Sequence, residues 1–351
     1  MKIGIIGAGN ISLRHIKGYQ QNPDCEVVAI SDINAEQAQK IAQEYQIQQV
    51  YTDYHDILND PTIDAVSIAT PTFTHKEIAL AAIKSNKHVL CEKPPALNAD
   101  EVKEIRQALA GSDKVFMFAL VTRFRKSVQQ LKEYIDSGKM GPIICADMTR
   151  LTRMVTFRGW FTNRSLGGGV LRDGAIHEID LLLYLMGYPK PKSVSAFWSR
   201  INNDLPTRLK ETGAVYPSAD KNTYKNDTED IIKGFINLEN GANLTVKSGN
   251  IFLSCKPEVY AEINGQNAGA LLQLSGSDKG LKIVEVTNED TLNETAYELC
   301  DDNMFWDEIN HFVDCCQNKT ECLVKVDEAV TLMEIIDALY ASAQSGETIT
   351  F

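Results

Sequence analysis

Five short apolar runs, separated by segments of helical periodicity, fill the first 120 residues and constrain this fold more than any other feature. KIGII, EVVAIS, DAVSIAT, HVLC and KVFMFA are rich in Val, Ile and Phe and nearly continuous in apolar character. Parallel strands covered on both faces read this way. Residues 34–45, 73–86 and 98–110 carry apolar side chains at helical spacing between them. Asn98 stands where an N-cap belongs, with Glu101 at the capping-box position. The strand–helix alternation predicts an α/β domain with a doubly wound parallel sheet over residues 1–122.

Beyond residue 122 the pattern changes. A helix-like segment at 124–137 ends at Gly138, and ICADMTRL follows as a strand. DIIKGFINL, ANLTVKS, EVYAEING and LKIVEVT then succeed one another with turn residues between them, the mark of a mostly antiparallel sheet. Two helices are expected near 303–317 and 327–344, and the polar stretch 203–227 reads as a long loop. Residues 123–351 are thus expected to form a second, α+β domain with a large open sheet, and 351 residues suffice for two cores.

The formal charge of −12 argues against a nucleic-acid partner, which would require clustered Lys and Arg. No segment approaches a membrane span of about 18 apolar residues, and MKIGIIGAG is too short an apolar stretch for a signal peptide. The eight cysteines include no C-x-x-C pair. They are expected to be reduced, mostly buried thiols in a cytoplasmic protein.

KIGIIGAGNIS places Gly7 and Gly9 in a G-x-G-x-x-G arrangement, with Ser12 at the third position. The first glycine permits a tight turn and the second lets a backbone approach a pyrophosphate. The third position needs only to be small. Asn10 and Ile11 head the next helix, whose first N–H groups and positive dipole end suit phosphate. The second strand ends at Asp32, where an acid can accept hydrogen bonds from ribose hydroxyls. A carboxylate there favours NAD, while Ser31 and Asn34 leave NADP open. Thr70-Pro71-Thr72 and Cys91-Glu92-Lys93-Pro94 end two further strands, on the side where such sheets bind ligands. Thr70, Pro71, Glu92 and Lys93 are therefore cofactor candidates. His75 is one as well, with a capping or packing role as its alternative.

GGGVLRDGAIHEIDLLLYLMG, at 167–187, sets Asp173 and His177 four residues apart at the start of an apolar helix expected over 174–186. On a helix that spacing aims a carboxylate and an imidazole at one point. The bland alternative is a helix cap and a packed histidine. As metal ligands the two lack an evident third partner, so no metal is expected.

Together GAGNIS, the Ser-Asp at 31–32, ATPTFTH at 69–75, CEKP at 91–94 and GGG-x-x-x-D-x-x-x-H-x-x-D at 167–180 resemble the glucose–fructose oxidoreductase, inositol dehydrogenase and rhizopine catabolism (Gfo/Idh/MocA) family, in order along the whole chain. The resemblance implies a nucleotide domain followed by a mostly antiparallel one, and NAD(P)-dependent hydride transfer at a secondary carbinol of a sugar, cyclitol or related polyol. It makes Lys93, Asp173 and His177 the catalytic set. A histidine suits removal of the hydroxyl proton, and a lysine can stabilise charge on the same oxygen. Asp173 would hold a neighbouring hydroxyl or orient His177, and Asp180 would support them from behind. The glycine corner is expected to leave room for substrate and nicotinamide. Pro95, where a small or aliphatic residue is more usual, would stiffen the lysine's loop. Arg123 and Trp160 are expected among the substrate contacts, and Arg153, Arg158 and Asn163 stand where the family varies them. Homodimers or homotetramers through the open sheet are also implied. Two other activities fit this framework: a glycosidase that oxidises transiently with a retained NAD, and a ligand sensor without catalysis.

Overall fold

The computed structural model describes residues 1–152, 159–200, 227–250, 255–275, 279–286, 291–298 and 303–351. Arg153 and Arg158 lie outside the described residues, as does 203–226 of the expected long loop. The chain divides into two compact units, Met1–Phe124 with Asn303–Val330, and Arg125–Asp302 with Thr331–Phe351. Residues 303–330 thus group with the first unit although they lie far along the chain.

In the first unit six strands form one parallel sheet: β1 (Lys2–Ile6), β2 (Glu26–Ser31), β3 (Gln49–Tyr51), β4 (Ala65–Ile68), β5 (His88–Glu92) and β6 (Phe116–Ala119). Their order is β3-β2-β1-β4-β5-β6, so the winding reverses between β1 and β4, which opens a crevice at their carboxyl ends. Ile3, Ile5, Ala29, Ile30, Val66 and Leu90 have no accessible surface, as strands covered on both faces require. Helices α1 (Asn10–Gln20), α2 (Ala35–Tyr45), α3 (Tyr54–Asn59), α4 (His75–Lys84) and α5 (Ala99–Ala108) connect them. At the head of α5 the Asn98 side chain accepts from Glu101 N–H at 3.0 Å, and the Glu101 carboxylate accepts from Leu97 N–H at 2.9 Å. This reciprocal cap explains why the helix begins there. Helix α8 (Met304–Asn318) packs on α1, where Gly18 admits it: a Cβ at Gly18 would stand 2.8 Å from Ile309 Cγ1.

The second unit has a nine-stranded sheet in the order β14-β13-β12-β11-β7-β10-β9-β8-β15. Its strands are β7 (Ile143–Thr152), β8 (Pro191–Ser199), β9 (Ile231–Leu238), β10 (Asn243–Asn250), β11 (Glu258–Gly265), β12 (Ala268–Gln273), β13 (Gly280–Val286), β14 (Leu292–Glu298) and β15 (Ile349–Thr350). All pairings are antiparallel except β7 with β10. Helices α6 (Lys126–Asp136) and α7 (Ile176–Leu185) belong to this unit, as does most of α9 (Val326–Ser345). The expected single helix from 174 is interrupted at its start. Leu171–Ala175 form a π turn that runs directly into α7. Among the described residues no helix is long and apolar enough to cross a membrane.

Candidate active site

In the first unit, Gly7 has φ +103° and an added Cβ would lie 2.6 Å from Ala69 O, so the turn admits only glycine. Gly9 differs: a Cβ there would meet nothing closer than Ala69 O at 4.0 Å. Gly9 and Asn10 are exposed and Ile11 half-exposed, and Gly9 caps α1 without any side chain on its first N–H groups. No acid stands in that first turn. The helix end is therefore an open, positively polarised cradle suited to phosphate. Ser12 is wholly buried, with its hydroxyl on Gly9 O at 2.6 Å, which is the packing role expected of a small third residue.

Asp32 closes the other side of the turn. Its Oδ2 accepts from Ala8 N–H at 2.7 Å and its Oδ1 from Asn34 N–H at 2.8 Å. Two backbone donors fix the carboxylate, each oxygen keeps acceptor capacity, and the side chain stays half-exposed. These residues fit a dinucleotide.

Thr70, Pro71 and Lys93 are half-exposed at the ends of β4 and β5. Their neighbours face inward. Glu92 lies in the core, where it accepts from His15 Nε2 at 2.9 Å and from Lys93 N–H at 3.0 Å. His15 Nδ1 in turn meets Ser67 Oγ at 2.7 Å. His75 is also buried, its ring nitrogens 2.8 Å from Pro94 O and 2.9 Å from Thr70 O. Burial lowers its pKa, while the hydrogen bonds to the two carbonyls oppose that shift. Glu92 and His75 thus face inward and hold the two strand ends together. Glu92 supports the lysine from beneath, and His75 ties the Thr-Pro-Thr turn to the Lys93–Pro94 loop.

Arg123 has no accessible surface, and its Nη1 donates to Leu323 O at 2.9 Å and to Glu328 Oε2 at 2.6 Å. A side chain enclosed in this way anchors the segment after α8.

In the second unit, every residue from 174 to 185 is buried except His177. Asp173 and His177 are both half-exposed, one in the π turn and the other at the start of α7. Asp180 is wholly buried and accepts from the Tyr188 hydroxyl, so it fixes the helix from behind. The π turn holding Asp173 is the kind of helical irregularity that recurs at functional sites, and the residue spacing does not reveal it.

The glycine corner is not open space. A Cβ at Gly168 would stand 2.2 Å from Phe161 O. At Gly169, with φ +121°, it would stand 2.6 Å from Tyr340 Oη and 2.8 Å from Glu229 Oε1. The glycines let the backbone close onto a buried polar cluster. Glu229 Oε1 accepts from Leu171 N–H at 2.9 Å and from Tyr340 Oη at 2.8 Å. Burial raises the Glu229 pKa, against the hydrogen bonds from Leu171 N–H and Tyr340 and the charge of Arg164 3.9 Å away. The Arg164 guanidinium lies 4.7 Å from the Trp198 ring centre and 5.1 Å from that of Tyr340. Sequence reasoning missed this cluster because its members are scattered from 164 to 340. Trp160 stacks one face on Phe161 with centroids 3.8 Å apart, and the Asn163 side chain caps the turn at Arg164–Leu166. Asp173 and His177 belong to no three-donor metal group among the described residues.

Residues 1–120 match the NAD-binding Rossmann fold of the GFO/IDH/MocA oxidoreductase family, and residues 132–351 match its C-terminal alpha/beta domain. The chain belongs to this family. It is 30% identical to the D-glucoside 3-dehydrogenase of Escherichia coli K12, across 99% of this chain and 97% of that protein. It is also 30% identical to the myo-inositol 2-dehydrogenase of Thermotoga maritima, across 53% of this chain and 55% of that one. Among solved structures, levoglucosan dehydrogenase in complex with NADH and L-sorbose superposes with a TM-score of 0.87 at 22% identity, covering 100% of this chain and 98% of that one.

Proposed function

We propose that the protein is an NAD-dependent dehydrogenase or reductase of a sugar, cyclitol or related polyol. The relationship to a D-glucoside 3-dehydrogenase along 99% of the chain carries this reading. When bound, the nicotinamide supplies the hydride acceptor. Gly7, Gly9, Asn10, Ile11 and Asp32 bind the dinucleotide, with Thr70 and Pro71 beside them. His177 takes the hydroxyl proton in the oxidation direction and returns it in reduction. The Lys93 ammonium donates a hydrogen bond to the carbinol oxygen and stabilises charge developing there. Asp173 accepts a hydrogen bond from an adjacent hydroxyl and so orients the substrate, and Trp160 offers its unstacked face to the sugar.

The test is a panel of sugars and polyols, followed by NADH absorbance, with His177→Ala beside the parent. Oxidation by the parent should rise with pH and reduction should fall. His177→Ala should slow the chemical step by about a hundredfold or more and flatten both limbs. An unchanged pH profile in a folded variant, with chemistry rate-limiting, would leave His177 a packing residue. Substrate turnover without net NADH change would favour the glycosidase reading instead.

NAD should bind more tightly than NADP because Asp32 repels a 2′-phosphate, and Asp32→Ser should narrow that gap in equilibrium titrations. A parent protein that preferred NADP would end this assignment.

A homodimer or homotetramer is supported by the nine-stranded sheet, which leaves Phe197 63% and Phe235 41% exposed on adjacent strands. Light scattering that returned a monomer would refute it. We also propose a cytoplasmic location, which fractionation of the source cells tests.

A further inference from the structure

Away from the nucleotide cradle, the first unit carries a second group of reactive side chains at the end of α8. His311 and Cys315 are four residues apart and project from one helix face. Cys322 follows in the irregular segment before α9. One donor atom from each of the three lies within 4.8 Å of the others. Cys315 Sγ is 3.4 Å from His311 Nε2, and the two sulfurs lie within 4.8 Å of each other. The Val324 N–H and the Arg123 guanidinium are near the Cys322 sulfur and favour its anionic form.

Three such donors resemble part of a zinc site, but two contacts point elsewhere. Leu323 N–H donates to His311 Nε2 at 2.9 Å and so occupies the lone pair a metal would need. The Arg123 charge opposes a cation and favours an anionic sulfur. We propose that Cys315 and Cys322 form a two-thiol site that a hydroperoxide oxidises to an intramolecular disulfide.

The two sulfurs have distinct parts. Cys322 is half-exposed, and the neighbouring Cys315 lowers its pKa, with Val324 N–H and Arg123 assisting against burial. Cys315 is 1% exposed, and the neighbouring Cys322 together with burial raises its pKa. The Cys322 thiolate attacks the peroxide: an S–O bond forms, the O–O bond breaks, and the departing alkoxide or hydroxide takes a proton from water. Cys315 then attacks the sulfenic sulfur: the S–S bond forms, the S–O bond breaks, and its thiol proton leaves with the hydroxyl as water. Two thiols lose two electrons, and one peroxide gains them. Because residues 319–325 pair with no strand and lie in no helix, the sulfurs can close without breaking a ladder.

The full chain, reduced and desalted, should be titrated with hydrogen peroxide, alkylated and mapped by mass spectrometry. A Cys315–Cys322 cross-link that dithiothreitol reverses should appear at lower peroxide than any modification of the exposed Cys255, with a rate advantage of about tenfold or more. Cys315→Ser should leave Cys322 trapped as a sulfenic acid that dimedone labels. Preferential oxidation of Cys255, or of Cys316 with Cys322 untouched, would overturn the proposal. Stoichiometric metal in the purified protein that shielded both sulfurs from peroxide would also overturn it. The mapping on the unaltered chain decides the matter even where a variant fails to fold.

Discussion

Gly9 and Gly169 both sit in glycine-rich turns at the head of a helical segment, yet they do opposite work. At Gly9 an added Cβ would enter open space, so the missing side chain leaves a face for something outside the protein. At Gly169 the same atom would strike Tyr340 and Glu229, so the missing side chain lets the protein close on itself. The two motifs look alike in the sequence. What each glycine faces decides whether it makes a ligand cradle or a structural joint.

The largest expected effect follows from the closed corner. Gly169→Ala combines an unfavourable φ with contacts against buried polar atoms, and should cost roughly 2–4 kcal/mol in urea unfolding. Gly9→Ala should change stability by less than about 1 kcal/mol while weakening NAD binding about tenfold, or about 1.4 kcal/mol. Equal stability losses at the two positions would dissolve the distinction. Unaltered NAD affinity in Gly9→Ala would remove the cradle from the binding site.

The smallest effect concerns the acid beneath the corner. Because burial raises the Glu229 pKa, the native state holds a proton that the unfolded chain has released. Between the unfolded value and that raised one, the native state binds more protons, so stability falls as pH rises through this window. Glu229→Gln should flatten that slope, as read from urea midpoints measured across the acidic range. A slope that survived the substitution would assign it to another buried acid, such as Glu308. Burial raises the Glu308 pKa well above the usual range, and the nearby Glu92 adds to the effect.

Much of the framework was legible because its causes are local. The five core strands lie where apolar runs announced them, and α5 starts at the Asn98–Glu101 cap. β3 escaped because three residues, Gln49–Tyr51, are too short for any periodicity to show. The π turn escaped because nothing in the residue types at 171–175 separates it from the helix it joins. In the site, Asp32 could be read because a strand end and a glycine turn define its task. The surroundings of His75, Glu92 and Arg123 could not be read, because their partners are backbone carbonyls, an amide and side chains supplied by folding. Leu323 O, which holds Arg123, lies 200 residues along the chain. A polar residue beside a motif advertises its chemistry but not which neighbour has already claimed it.

The helix that packs against Gly18 has a consequence for how the chain is made. Strands β1 to β6 are complete once residue 119 has left the ribosome, yet Ile309 and the rest of α8 arrive nearly 200 residues later. At the roughly 5–20 residues per second of translation, the nascent nucleotide unit waits on the order of ten seconds or more with one side of α1 bare. During that interval its apolar surface is open to chaperones or to another nascent chain. The step that ends this exposure is a long-range closure, of the kind that slows folding.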